Sequence, residues 1–150
     1  MLLQGKLHEQ LGDRQAALDS YTRAIEVGDA LAEPYYRRAL LYARAEQFDT
    51  AADDLEAAID IQPNFSEAHY WLGRAYLAQG SPRTAREQFA EAITQRGGNF
   101  PDARFYQGVS EEQLGQRNDA LLSYQAALEQ AGASEWAGEA QAALARLRQP

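Results

Sequence analysis

The alternation of apolar and polar positions over residues 66–95 sets the pattern for the whole chain. Trp71, Leu72, Ala75 and Tyr76 fall at helical spacing, and after Gln79-Gly80-Ser81-Pro82 so do Ala85, Phe89, Ala92 and Ile93. Apolar residues at i, i+3 and i+4 on both sides of a Gly-x-Pro breaker predict two short amphipathic helices folded on each other. The unit recurs. Ala17, Ala51, Ala85 and Ala120 occupy one register site, at steps of 34, 34 and 35 residues by subtraction. Tyr21, Leu55, Phe89 and Tyr124 keep those steps, as do Ala24, Ala58, Ala92 and Ala127, and in the first helix Gly5, Ala39, Gly73 and Gly108. A period of this length marks a helical repeat array, in which each unit buries its apolar face against its neighbours.

In chain order, the pattern predicts helices over residues 1–11 and 14–27, the second ended by a left-handed cap at Gly28. The first unit looks clipped, because its register begins about three residues before Met1; a frayed terminus or a chain cut from a longer array is expected. The second unit starts at Ala32 with Pro34 in its first turn, where a missing N–H is harmless. Its turn, Glu46-Gln47, lacks the glycine of the other units, and its second helix covers 48–61, before Pro63. Ser66 is the expected N-cap of the third unit. Arg96-Gly97-Gly98-Asn99 holds the extra residue and reads as a helix-ending turn rather than a phosphate loop, having neither a strand before it nor a lysine after it. The fourth unit runs from Pro101 through the Leu114-Gly115-Gln116 turn to about Gly132. Ser134 then caps a last helix over 135–147 whose stripe of Trp136, Ala140, Ala143, Leu144 and Leu147 closes the open face of the final repeat.

These residues resemble the tetratricopeptide repeat (TPR) family. The third unit carries Leu72-Gly73, Tyr76, Gly80, Ala85, Phe89 and Ala92. The second has Tyr35, Ala39, Tyr42, Ala51, Ala58 and Pro63, the fourth Gly108, Gly115, Ala120, Tyr124 and Ala127, and the first Gly5, Gly12, Ala17, Tyr21 and Ala24. His69 and Arg104 replace the large aromatic of the family pattern, and proline follows only the second unit. The resemblance implies an all-α fold: a right-handed α-solenoid of four TPR helix-turn-helix repeats (about 1–31, 32–65, 66–100 and 101–134) plus a C-terminal capping helix at 134–148, in a single domain over 1–150.

Composition narrows the chemistry. The chain has no cysteine, so disulfide and thiolate chemistry are excluded. A net charge of −8 argues against nucleic acid or an anionic membrane as the main partner. No apolar run is long enough for a membrane span and no signal peptide opens the chain, so a cytoplasmic location is expected. His8 and His69 take sites filled by tyrosine in other units, which marks both as packing positions. Asp53-Asp54 and Glu111-Glu112 are sequence neighbours that diverge by about 100° on a helix, and solvated faces account for them. No metal cluster, nucleophile elbow or cofactor motif is visible. The expectation is no enzyme and no cofactor.

The resemblance implies instead a concave groove, lined by the first helix of each unit, that holds a peptide or a partner's helix. Carried over unit by unit, its positions are Tyr36, Arg37, Leu40 and Arg44; Tyr70, Trp71, Arg74 and Leu77; and Phe105, Tyr106 and Val109, with Glu112 and Gln113 beside them. Folding makes no demand for Trp71 at its site, and aromatic residues and arginine are enriched in binding hot spots. Arg37, Arg38 and Arg44 suggest a positive groove, while Asp49, Asp53, Asp54, Glu56 and Asp60 make the outer face acidic. A protein or peptide ligand with an acidic group beside an apolar anchor fits that surface. The asparagines lie in predicted turns, which sets aside the Lys/Asn clamp of chaperone-binding TPR domains. Two alternatives stand beside this reading: self-association through Leu2, Leu3 and Leu7 of the first helix, and a fragment whose function is set by other domains of a larger protein.

Overall fold

The computed structural model of the chain describes residues 1–28, 30–131 and 134–149. The expected unit end at Gly132 lies outside them. Among the described residues the backbone forms nine helices and no strand: α1 (Leu2–Gln10), α2 (Arg14–Glu26), α3 (Ala32–Arg44), α4 (Phe48–Ile61), α5 (Ser66–Ala78), α6 (Pro82–Gln95), α7 (Pro101–Gln113), α8 (Arg117–Gln130) and α9 (Ala137–Leu147). Each helix packs chiefly on its neighbours in sequence, and α5 also touches α3 and α7. Four hairpins therefore stack in a row with their first helices side by side, and α9 lies on the last. This is an all-α solenoid.

The register sites are the core. Ala17, Ala51, Ala85 and Ala120 are fully buried, and so are Tyr21, Leu55 and Phe89. The small residue on each first helix faces the large one on the second. A Cβ built on Gly73 would stand 2.7 Å from Cε1 of Phe89, closer than packed carbon atoms approach. Glycine at 73 is thus the space into which the phenyl ring fits.

Helix starts differ in part from expectation. Asp13 caps α2, its carboxylate accepting from the Ala16 N–H at 3.1 Å, and prolines open α6 and α7. Ser66 does not cap α5. It is the first helical residue, its hydroxyl donates to Glu67, and Phe65 holds the cap position. The Phe65 ring packs 4.7 Å from that of Tyr36, so aromatic packing rather than a hydroxyl sets where the chain enters the helix. Ser134 does not cap either: a turn through Glu135 and Trp136 comes first, because the Trp136 indole is drawn down to stack on Phe105 and donate to Asp102. Asn118 lies in the first turn of α8, not in the turn before it.

The adjacent carboxylates are a clearer correction. Asp53 is exposed, but Asp54 is only 6 % exposed and Glu111 only 5 %. Residues 20, 54, 88 and 123 are register equivalents, and each places a polar group inside its hairpin. Asp54 takes a two-point bond from Arg38, at 2.7 and 2.8 Å. Gln88 lies 2.8 Å from Nδ1 of His69, whose Nε2–H donates to the Pro63 carbonyl. Ser123 donates to Glu111 at 2.7 Å. Buried polar groups need such partners, and a helical period alone does not reveal which way a polar residue is turned.

Burial pushes the Glu111 carboxyl up from its ordinary range, with the Ser123 hydrogen bond opposing it. The folded state therefore favours the protonated acid. The stability it contributes is fully present below the ordinary carboxylate range and is lost as pH rises through the elevated native value. Glu111→Gln keeps an acceptor for Ser123 and carries no charge. It is expected to raise the melting temperature at pH 7 and to leave it little changed in mild acid. Equal shifts at both pH values would rule out the desolvated carboxylate as the cause.

Candidate functional site

The first helices α3, α5 and α7 form one face, and a hollow of about 390 Å³ opens between them. Its walls are Ala43 and Arg44 of α3, Trp71, Arg74, Ala75, Leu77 and Ala78 of α5, and Tyr106 of α7; Glu46 of the α3–α4 turn and Phe48 at the start of α4 close it. Trp71 and Tyr106 are register equivalents one unit apart. The Arg74 guanidinium lies between them, 4.6 Å from the indole and 4.7 Å from the phenol ring. Stacking on π faces holds an arginine by its plane. No carboxylate among the described residues lies within ion-pair distance of Arg74.

Behind this pair sits an aromatic wall. Tyr70 packs against Phe100 at 5.2 Å, Trp71 at 5.5 Å and Phe89 at 6.1 Å, and Tyr106 stacks on Phe89 at 5.9 Å. Burial pushes the Tyr70 phenol up to about 12, so it stays a neutral donor. The core ring Phe89 thus carries the floor on which the hollow rests. Packing and site are one construction here.

The sequence-expected residues separate into three groups. Trp71, Arg74, Leu77, Tyr106 and Arg44 meet in the hollow. Tyr70 and Tyr36 are half-buried supports, with Tyr36 against Phe65. Phe105, at 4 % exposed, is a core residue stacked on Trp136; Val109 lies beside it in a separate hollow between α7 and α9, and Leu40 is half-buried on α3.

The charge expectation also changes. Arg38 is turned inward to Asp54 and to the Thr22 hydroxyl, so it does not face the groove. Arg37 pairs with Glu33 at 3.4 Å and Glu9 at 3.7 Å, and Arg44 pairs with Glu9 at 3.5 Å. Lys6 beside Glu33 holds that carboxyl below its ordinary range. Glu9 also accepts from the buried Tyr21 hydroxyl at 2.7 Å. The α3 arginines are therefore neutralised locally, and the cation left without a counter-charge in the hollow is Arg74.

Sequence reasoning missed Glu9, Glu46 and Phe48. Glu9 had a usable signal. Its register equivalent is Glu112, and both accept from a core tyrosine hydroxyl twelve residues on, Tyr21 and Tyr124. Where the core residue is Leu55 or Phe89, without a hydroxyl, the equivalent positions are Ala43 and Leu77. Phe48 and Glu46 belong to a turn and a second helix, which the first-helix template ignores.

Stacked helical hairpins whose first helices present aromatic rings and a pre-stacked arginine on one face define a helical repeat scaffold. Comparison with known proteins agrees. Family models described as "Tetratricopeptide repeat" match residues 36–100, 72–135 and 1–27, and the chain belongs to the tetratricopeptide repeat family. It is similar to the small glutamine-rich tetratricopeptide repeat-containing protein 2 of Saccharomyces cerevisiae, 34% identical over 91 residues, which is 61% of this chain and 26% of that protein. The chain thus spans about a quarter of that relative's length. Among solved structures, MamA superposes with a TM-score of 0.80 at 26% identity, covering 86% of this chain and 75% of that one. YrrB superposes with a TM-score of 0.84 at 23% identity, covering 95% and 72%, and shares the fold.

Proposed function

We propose that the face built by α3, α5 and α7 grips a polypeptide segment of a partner protein, with an apolar anchor in the hollow and a carboxylate on Arg74. The observation that carries this reading is the guanidinium held between Trp71 and Tyr106 with no carboxylate among the described residues within ion-pair distance. Arginine presented in this way matches a carboxylate at two points, and a half-buried charge-assisted bond outweighs an exposed one. YrrB is described as a TPR protein with an unusual peptide-binding site; that description belongs to YrrB, and for this chain the argument rests on Arg74. The module works without catalysis and without a cofactor, as one domain over 1–150, in the cytoplasm. No helix among the described residues is long and apolar enough to cross a membrane.

Fluorescence anisotropy with labelled acidic-aromatic peptides tests the groove. Arg74→Ala is expected to weaken binding about tenfold, and Trp71→Ala at least as much. Added salt should weaken the wild type more than the Arg74 variant. Affinity indifferent to both substitutions and to salt would remove this assignment.

A second reading, self-association, rests on α1. Leu3 is 78% exposed and Leu7 53%, whereas Leu41, Ala75 and Ser110, the register equivalents of Leu7, are buried. Light scattering across a concentration series, with and without Leu3→Glu, decides it. Mass that rises with concentration and falls on substitution supports pairing; a monomer throughout excludes it.

A further inference from the structure

Glu46 combines two features that the groove reading leaves unexplained. It lines the same hollow as Arg74, yet no cation among the described residues lies within ion-pair distance of it. Arg44, two residues earlier, turns to Glu9 instead. The hollow therefore holds a guanidinium and a carboxylate that do not neutralise each other, with alanine, leucine and aromatic rings between them. Arg74 is half-buried and Glu46 stands exposed at the rim, so a ligand seated there comes close to both charges. One that brought only a carboxylate would satisfy Arg74 and be repelled by Glu46. A ligand bearing both signs compensates both.

The backbone adds an independent pointer. Residue 46 is the register equivalent of Gly12, Gly80 and Gly115, which take φ of 76°, 74° and 73°. Glu46 takes φ of 58° at that same turn, in the left-handed region that a side chain with a Cβ disfavours by about 1 kcal/mol or more. Three of the four turns use glycine; the one that borders the hollow carries a strained acid. Strain of this kind is found where a side chain serves something other than folding. On its other side Glu46 borders an open hollow with Asp49, whose carboxylate accepts from Gln79 at 3.0 Å, so a cation beside Glu46 meets further negative potential.

We propose that Glu46 is a specificity residue of this groove: it reads a cationic side chain on a polypeptide whose neighbouring carboxylate is held by Arg74, and so selects mixed-charge segments over purely acidic ones. The proposal rests on the groove reading above and adds the second charge.

Panning a phage-displayed random peptide library on the full chain, on Glu46→Gln and on Arg74→Ala separates the two claims. Glu46→Gln keeps the side-chain length and the strained turn while removing the charge. Sequences enriched on the wild type are expected to carry an acid and a Lys or Arg on either side of an apolar residue, and the Glu46→Gln selection should lose the cation and keep the acid. For one enriched synthetic peptide, exchanging its Lys or Arg for Gln should weaken binding to the wild type about three- to tenfold and leave binding to Glu46→Gln unchanged. Glu46→Gly should raise the melting temperature yet weaken the same peptide, a split that a purely structural role does not produce. If the enriched peptides depend on Arg74 but carry no cation, or keep it on Glu46→Gln, this inference fails and the groove reading stands. If nothing is enriched, or enrichment ignores Arg74→Ala, both fail.

Discussion

Replacing Phe89 with alanine is expected to destabilise the chain by about 3–5 kcal/mol. The ring is fully buried, seated over Gly73, and in contact range of Tyr70 and Tyr106. Its removal leaves a void at the third hairpin that neighbouring helices fill only in part. Thermal unfolding followed by far-UV circular dichroism measures the loss, at roughly 2–4 °C of melting temperature per kcal/mol for a domain of this size. Because repeats couple through nearest neighbours, the damage should begin at α5–α6 and spread outward. Gly73→Ala gives the complementary result. In the wild type its methyl group collides with the Phe89 ring, and overpacking by about 1–3 kcal/mol outweighs the usual helical gain of about 1 kcal/mol for replacing glycine. In the Phe89→Ala background the space is free, and the same change should become neutral or stabilising. A cycle in which the two substitutions simply add would show that the ring and the glycine do not share this space.

Arg38→Ala ranks second, at about 3 kcal/mol. The Asp54 side chain is 8% exposed and that of Arg38 18%, and the two-point bond between them is the acid's only ion pair among the described residues. Removing the arginine strands a buried carboxylate, which is far worse than never having had the pair. The double replacement Arg38→Met with Asp54→Leu should recover most of the stability, since apolar residues of similar volume fill the α3–α4 interface without a desolvation penalty. Thermal melts of the single and double variants check the order. A single variant as stable as the wild type would show that the pair is solvated in solution.

The two predictions mark different degrees of legibility. Phe89 and Gly73 stand out in the sequence because each is one of four equivalents repeating at steps of 34 and 35, and a core site has to be filled the same way in every unit. Arg38 and Asp54 do not stand out. In the sequence Arg38 follows Arg37, and Asp54 belongs to an acidic run; only the packing of α3 on α4 and α2 shows that this arginine is turned inward. The groove was half legible. Trp71, Arg74 and Tyr106 were identifiable as residues that folding does not require, but Phe105 at a neighbouring site proved to be core because Trp136 arrives from the turn before α9 to cover it.

From the chain alone came the helical hairpins, their number, their order and the identity of the buried alanines and rings, because these follow from local periodicity and from a register that each unit repeats independently. Only the tertiary structure decided which charges are spoken for. Glu9 reaches from α1 to Arg37 and Arg44 on α3, while Arg74 rests between rings contributed by α5 and α7. Such pairings depend on distances between different units, which no pattern along one helix encodes. Among the described residues they leave Arg74 and Glu46 in the hollow without ion-pair partners, rather than a uniform positive charge.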